Sequence, residues 1–225
     1  EEIQKQMKTI EWDAEAAEKA GFEHFMMKEI HEQPKAVQDT LSSVVKDGQI
    51  DLSEIGLTDE NIQDIDQIYI IACGSAYHVG MAAQYVFEDM VRVPVRVELA
   101  SEFRYRNPLL DEKDLVVLIS QSGETADSLA AIREAHAKGG KVLGIVNVVG
   151  SSIAREADNV MYTWAGPEIA VATTKAYSCQ LIAEYLLAMK FAHVRGKVSD
   201  AELADMIEDM KELPAQVEML LNNKK

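Results

Sequence analysis

The sequence predicts an α/β protein of three layers, a five-stranded parallel sheet flanked by helices, with extra helices at its N-terminal end. Three observations carry this. From about residue 66 the chain turns into short apolar runs separated by helical patterns, five such runs are present, and strand-helix-strand repetition of this kind implies a parallel sheet covered on both faces. The chain is 225 residues long and 48% apolar, enough for a single large core and too apolar for disorder.

Residues 1–65 read as a polar helical extension, and 66–225 as the sheet domain. In the extension, Phe22, Phe25, Met26 and Ile30 recur at helical spacing. Pro34 suits the first turn of a second helix over 35–46, which Asp47 and Gly48 end. The strands are expected at 68–72, 95–99, 115–119, 141–146 and 159–163. Between them, a helix over 75–91 places Ala76, Val79, Ala83, Val86, Phe87 and Met90 on one face, and a second over 124–138 is closed by Gly139 and Gly140. Two helices follow, at 174–195 and from 199 to about 213. Ser199 and Glu202 have the spacing of a capping box, Pro214 is expected to kink or interrupt the last helix, and 222–225 reads as a frayed end.

Charge narrows the function classes. Twenty-two Lys and Arg stand against 38 Asp and Glu, a formal charge of −16, which disfavours nucleic acid and anionic membrane surfaces as partners. Residues 1–8 carry both signs of charge and no apolar stretch of the signal-peptide kind. Cys73 and Cys179 are far apart, and His24, His31, His78, His136 and His193 are scattered, so neither a disulfide framework nor a metal site is expected. The expected compartment is the cytoplasm, with no cofactor.

In an open parallel sheet, ligands bind beyond the carboxyl ends of the strands. The loop after the first strand holds Cys73, Gly74 and Ser75, but G-x-G-x-x-G is absent, so a dinucleotide role is not supported. The loop after the third strand is the most informative. Ser120, Gln121, Ser122, Gly123, Glu124 and Thr125 place three hydroxyls and a side-chain amide immediately before a helix, where unpaired N–H groups and the positive dipole end suit a phosphate. Helix capping by Ser122 explains the same residues without a ligand. Neither loop holds Lys or Arg, so a phosphate bound there would meet neutral donors and exchange readily. Glu168 and Lys175 allow two readings, an acid/base pair or a structural ion pair. Arg104 and Arg106 likewise suit ligand contact or pairing with nearby carboxylates.

Taken together, Cys73-Gly-Ser75, the run from Ala100 to Arg106, the run from Ser120 to Asp127, Gly150-Ser-Ser152 with Arg155 and Glu156, and the run from Ala165 to Tyr177 resemble the first sugar isomerase (SIS) domain of the glutamine–fructose-6-phosphate aminotransferases. Phe25 to Pro34 resembles the segment that joins the glutaminase and isomerase parts of those enzymes. The resemblance covers nearly the whole chain. It implies a flavodoxin-like SIS fold and a share in making glucosamine 6-phosphate and glutamate from fructose 6-phosphate and glutamine. It also implies that Ser120, Gln121, Ser122 and Thr125 hold the sugar phosphate, that Gly74 and Ser75 line its pocket, and that Val171 and Thr173 lie near the sugar. Two departures stand out: Ala76 replaces a phosphate-facing hydroxyl common in the family, and Thr173 stands where serine is common. The partners implied are a fructose 6-phosphate or glucose 6-phosphate ligand, a glutaminase domain, a second SIS domain and a second copy of the chain, with helices 174–192 and 203–220 as the contact surface. The base, histidine and Schiff-base lysine of such enzymes come from a later part, so no catalytic residue is expected here. The alternatives are a non-catalytic sugar-phosphate sensor and a stand-alone phosphosugar isomerase whose base would be Glu168 or another residue of this chain.

Overall fold

The computed structural model describes residues 18–223; the charged start at 1–8 and the last two lysines lie outside them. Helices α1 (Phe25–His31) and α2 (Gln33–Val44) are followed by a hairpin of β1 (Val45–Lys46) and β2 (Gln49–Ile50), and α3 (Asp59–Gln63) leads to the sheet. The alternation then runs β3 (Gln67–Ala72), α4 (Ser75–Met90), β4 (Val95–Leu99), α5 (Ala100–Arg106), β5 (Asp114–Ser120), α6 (Ala126–Ala137), β6 (Lys141–Val146), α7 (Ser152–Glu156) and β7 (Asn159–Tyr162). Helices α8 (Lys175–Val194) and α9 (Asp200–Asn222) complete the chain.

The sheet has the order β4-β3-β5-β6-β7, every pair parallel, which is the expected three-layer architecture. All seven residues of β5 are buried, as a central strand covered on both faces must be. Because side chains alternate along a strand, the two faces feed separate cores. Ile68, Ile70, Val117 and Ile119 face α4 and α8, together with Val37, Leu41 and Val44 of α2. Tyr69, Ile71, Val116 and Leu118 face α5 and α6. Strand order reverses between β3 and β5, so their two following loops diverge and leave a crevice.

Four expectations need correction. Helix α2 stops at Val44, before Asp47 and Gly48, and these two residues instead turn the β1–β2 hairpin, both with positive φ, 51° and 77°, as a two-residue hairpin turn requires. Helix α9 runs through Pro214 rather than ending near it. A proline removes one intrahelical bond, and here Lys211 and Glu212 on the same stretch are exposed, so the turn is not sealed from solvent. The apolar spacing expected on the first helix holds only in part: Phe22, Phe25 and Ile30 are half-buried and Met26 is exposed, while Lys28 and Glu29 are the residues of α1 that are fully buried. Helix α8 turns most of its apolar positions to the core, Ile182, Ala183, Leu186, Leu187 and Phe191 among them, leaving Met219 and Leu220 of α9 as exposed apolar groups. The capping box of Ser199 and Glu202 is formed as expected, with Ser199 N donating to Glu202 Oε2 at 2.8 Å.

Gly80 lets α4 lie close on the sheet: a Cβ there would stand 2.8 Å from Ile70 Cγ2 and 3.0 Å from Val97 Cγ1. Gly80→Val is expected to lower unfolding free energy by about 1–3 kcal/mol in urea titration, since Ile70 is held in the buried sheet and overpacking is not relieved there. Glu184, on α8, is fully buried with neither carboxylate oxygen hydrogen-bonded among the described residues, and burial pushes its pKa up to about 8. The unfolded chain ionises this group near 4.5, so the proton it holds in the folded state makes stability fall as pH rises from about 4.5 to about 8, then level off. Glu184→Leu removes that slope, at about 1.4 kcal/mol per pKa unit of displacement, and melts of variant and parent are expected to converge at pH 4.5 and separate progressively toward pH 8.

Candidate functional site

The crevice at the reversal of strand order contains a cavity of about 230 Å³. One wall is the loop between β5 and α6. Gly123 takes φ +67°, and its N–H donates to Ser120 Oγ at 3.1 Å, which folds the loop back over the strand end. Ser120 Oγ and Thr125 Oγ1 stand 3.4 Å apart, and Ser122 Oγ accepts from Glu124 N at 3.3 Å. Thr125 is the N-cap of α6 yet makes no side-chain cap bond, so the amides of the first turn keep no side-chain acceptor. The result is a concave cluster of hydroxyl and N–H groups at the positive end of a helix dipole.

This loop is stitched to its neighbour. Ile153 N donates to Gly123 O at 2.9 Å, and Asn147 N to Gln121 O at 3.1 Å. Glu124 reaches across to accept from Ser152 N at 2.8 Å and from Ser152 Oγ at 2.7 Å; these two bonds hold its carboxyl below the usual range. Behind α6, Arg104 is paired with Asp127 at 2.7 Å, and Arg106 with Glu98 through Nε at 2.8 Å, so both arginines serve structural pairs and neither lines the cavity.

The opposite wall is the segment 166–174 between β7 and α8. Asn147, buried at the end of β6, fixes its start by accepting from Ala165 N at 2.8 Å and donating to Gly166 O at 2.7 Å. Glu168 closes its end: Oε1 accepts from Thr174 N (2.9 Å) and Ala176 N (3.1 Å), and Oε2 from Thr173 Oγ1 (2.9 Å). That carboxylate therefore caps α8. Lys175 does not meet it; its Nζ pairs with Glu32 Oε2 at 2.7 Å and is nearly sealed from solvent. Of the two readings open for Glu168 and Lys175, the structure supports separate structural roles.

Seven of the eight residues singled out for binding border this one cavity: Ser75, Ser120, Gln121, Ser122, Thr125, Val171 and Thr173. Gly74 does not; it supplies the turn before α4, at φ 57° and ψ −133°, that aims Ser75 inward. Ala76 borders the cavity too, so the hydroxyl absent there is absent from the site itself. Glu168, Ala170 and Gln180 are additional lining residues. Gln180 had no local signal, since it sits inside α8 among apolar residues and reaches the cavity only through the packing of α8 on α2 and α4. Among the described residues, no lysine or arginine lines the cavity.

The SIS domain family profile matches residues 61–190. This chain belongs to the SIS domain family. Its SIS domain has full-length relatives: glutamine–fructose-6-phosphate aminotransferase (isomerizing) of Caldanaerobacter subterraneus is 55% identical over 223 residues, 99% of this chain and 37% of the relative. The enzyme of the same name from Clostridium acetobutylicum is 53% identical over 225 residues, 100% of this chain and 37% of the relative. The chain thus spans little more than a third of the length of these curated relatives. Among solved structures, the C-terminal domain of glucosamine-fructose-6-phosphate aminotransferase from Francisella tularensis superposes with a TM-score of 0.85 at 40% identity, covering 88% of this chain and 56% of that one. A solved structure from Clostridium difficile 630, at 20% identity and a TM-score of 0.74 over 85% of this chain and 52% of that one, shares the fold.

Gly123 joins the two loops of the SIS domain at van der Waals limits, since a Cβ there would lie 2.1 Å from Ser151 Oγ. Gly123→Ala is therefore expected to lose about 1–3 kcal/mol of stability and to shift the amide resonances of Ser152 and Ile153. Adding Ser151→Gly is expected to restore part of the loss, because it removes the collision but not the cost of positive φ.

Proposed function

We propose that this chain is the sugar-phosphate-holding part of a glutamine–fructose-6-phosphate aminotransferase, an enzyme that makes glucosamine 6-phosphate and glutamate from fructose 6-phosphate and glutamine. The observation that carries the reading is the cradle at the start of α6, where Ser120, Gln121, Ser122 and Thr125 converge on a cavity of about 230 Å³ at the strand-order reversal. In this reading the phosphate accepts from those side chains and from the first-turn amides, with Gly74 and Ser75 at its side. The sugar extends toward Val171 and Thr173. The names of the relatives agree with this assignment, and the glutaminase and second SIS domains belong to the remainder of such an enzyme. The same reading makes the protein cytoplasmic and dimeric, with exposed Met219 and Leu220 on α9 available to a contact in place of α8.

The chain's own contribution is orientation. Hydrogen bonds from neutral donors fix the phosphate, and the helix dipole offsets part of its charge. Proton transfer at the sugar carbons needs a base free to accept, and Glu168 already accepts three hydrogen bonds while Lys175 is held by Glu32. The chain alone is thus expected to bind hexose 6-phosphates without interconverting them. Glucose 6-phosphate formation from fructose 6-phosphate, followed with a coupled dehydrogenase, checks this; turnover that is abolished by Glu168→Gln would place a complete isomerase site here.

Binding is tested by titrating glucose 6-phosphate and unphosphorylated fructose while following amide shifts. Shifts are expected at 120–125 with the phosphorylated sugar and to be much smaller with fructose. Ser122→Ala is expected to weaken glucose 6-phosphate at least about tenfold, as loss of a hydrogen bond to a charged group costs roughly 1.5–3 kcal/mol. Shifts confined to other loops would refute the assignment.

A further inference from the structure

Helix α1 buries a carboxylate more deeply than its apolar Phe25 and Ile30, which are half-buried. Glu29 is 1% exposed, and its Oε1 accepts from Ile169 N at 2.6 Å and Ala170 N at 3.1 Å, 140 residues away in the chain. Its Oε2 is buried without a hydrogen-bond partner among the described residues. Sinking a carboxylate with one oxygen unsatisfied is costly, so stability alone gives no reason for glutamate at this position. What the residue achieves is local: two consecutive backbone amides of the segment 166–174 are fastened from outside the cavity. One turn on, Glu32 bridges Lys28 Nζ at 3.3 Å and Lys175 Nζ at 2.7 Å, which ties the same helix end to the first residue of α8. The fastened amides belong to the stretch whose Ala170, Val171 and Thr173 form the wall opposite the phosphate cradle. Val171 is fully exposed, and its own side chain makes no packing that would hold the wall in place.

We propose that Glu29 is a positioning residue for the sugar end of the site. By holding Ile169 and Ala170 it sets the distance between Val171 and Thr173 on one wall and the Ser120–Thr125 loop on the other, and so selects a ligand that spans both. This rests on the reading of the cavity as a phosphosugar site. It predicts a separation of two affinities. A whole hexose phosphate needs both walls, whereas inorganic phosphate needs only the cradle, which Glu29 does not touch.

The experiment compares glucose 6-phosphate and inorganic phosphate, titrated by amide shifts into the parent protein, Glu29→Ala and Glu29→Gln, with hydrogen exchange at Ile169 and Ala170 measured in each. In Glu29→Ala, the advantage of glucose 6-phosphate over inorganic phosphate is expected to fall at least about tenfold, inorganic phosphate to bind as in the parent, and the two amides to exchange at least about tenfold faster. Glu29→Gln, which keeps an acceptor oxygen, is expected to recover most of both. An unchanged advantage in Glu29→Ala overturns the proposal, and so does equal weakening of both ligands, which marks a general loss of structure. If the parent binds neither ligand, the phosphosugar reading fails, and the positioning role fails with it for want of a sugar to position; faster amide exchange in Glu29→Ala would then leave only a structural fastening.

Discussion

Five strands that all point the same way deliver every strand-to-helix loop to one edge of the sheet, and the rest of the molecule is arranged around that edge. The loops carry backbone groups that no ladder satisfies, so the edge is where polar residues concentrate. At the reversal between β3 and β5, two of these loops part and leave a concavity whose floor is the end of a fully buried strand. A helix starting there contributes its dipole with no lysine or arginine among the described lining residues.

The acidic excess of the chain acquires a use at this edge. Glu124, Glu168 and Glu29 each accept backbone N–H groups of loops that would otherwise have no regular partner. The three come from different elements and approach from different sides, so the loops around the cavity are held by carboxylates in the way that a sheet is held by its neighbouring strands. Their negative charge is spread over these donors, and the hydroxyl-bearing Ser120, Ser122 and Thr125 border the cavity.

Much of this was legible beforehand, for reasons that differ by element. The strands were readable because burial on both faces leaves continuous apolar runs, and the Ser120–Thr125 loop stood out because three hydroxyls, an amide and a glycine crowd before one helix, a cluster that capping would also account for. Thr173 and Val171 entered through family resemblance, since nothing in their spacing marks them. The buried Lys28 and Glu29 of α1 were missed because helical periodicity looks for apolar inner positions, whereas this helix also lies against loop amides and, through Glu32, Lys175. Gln180 was not readable at all. Its role depends on how three helices meet, which no local pattern encodes.

The absence of cationic side chains from the cavity lining has a kinetic side. On the proposed phosphosugar reading, a dianion would approach a chain of formal charge −16 against the mean field, and only the last few ångströms, within reach of the α6 dipole, would attract it. Dissolved salt screens the distant repulsion and leaves the short-range hydrogen bonds nearly untouched. In that reading capture would quicken as ionic strength rises while release held steady, the reverse of a lysine-lined phosphate site, where salt slows the encounter.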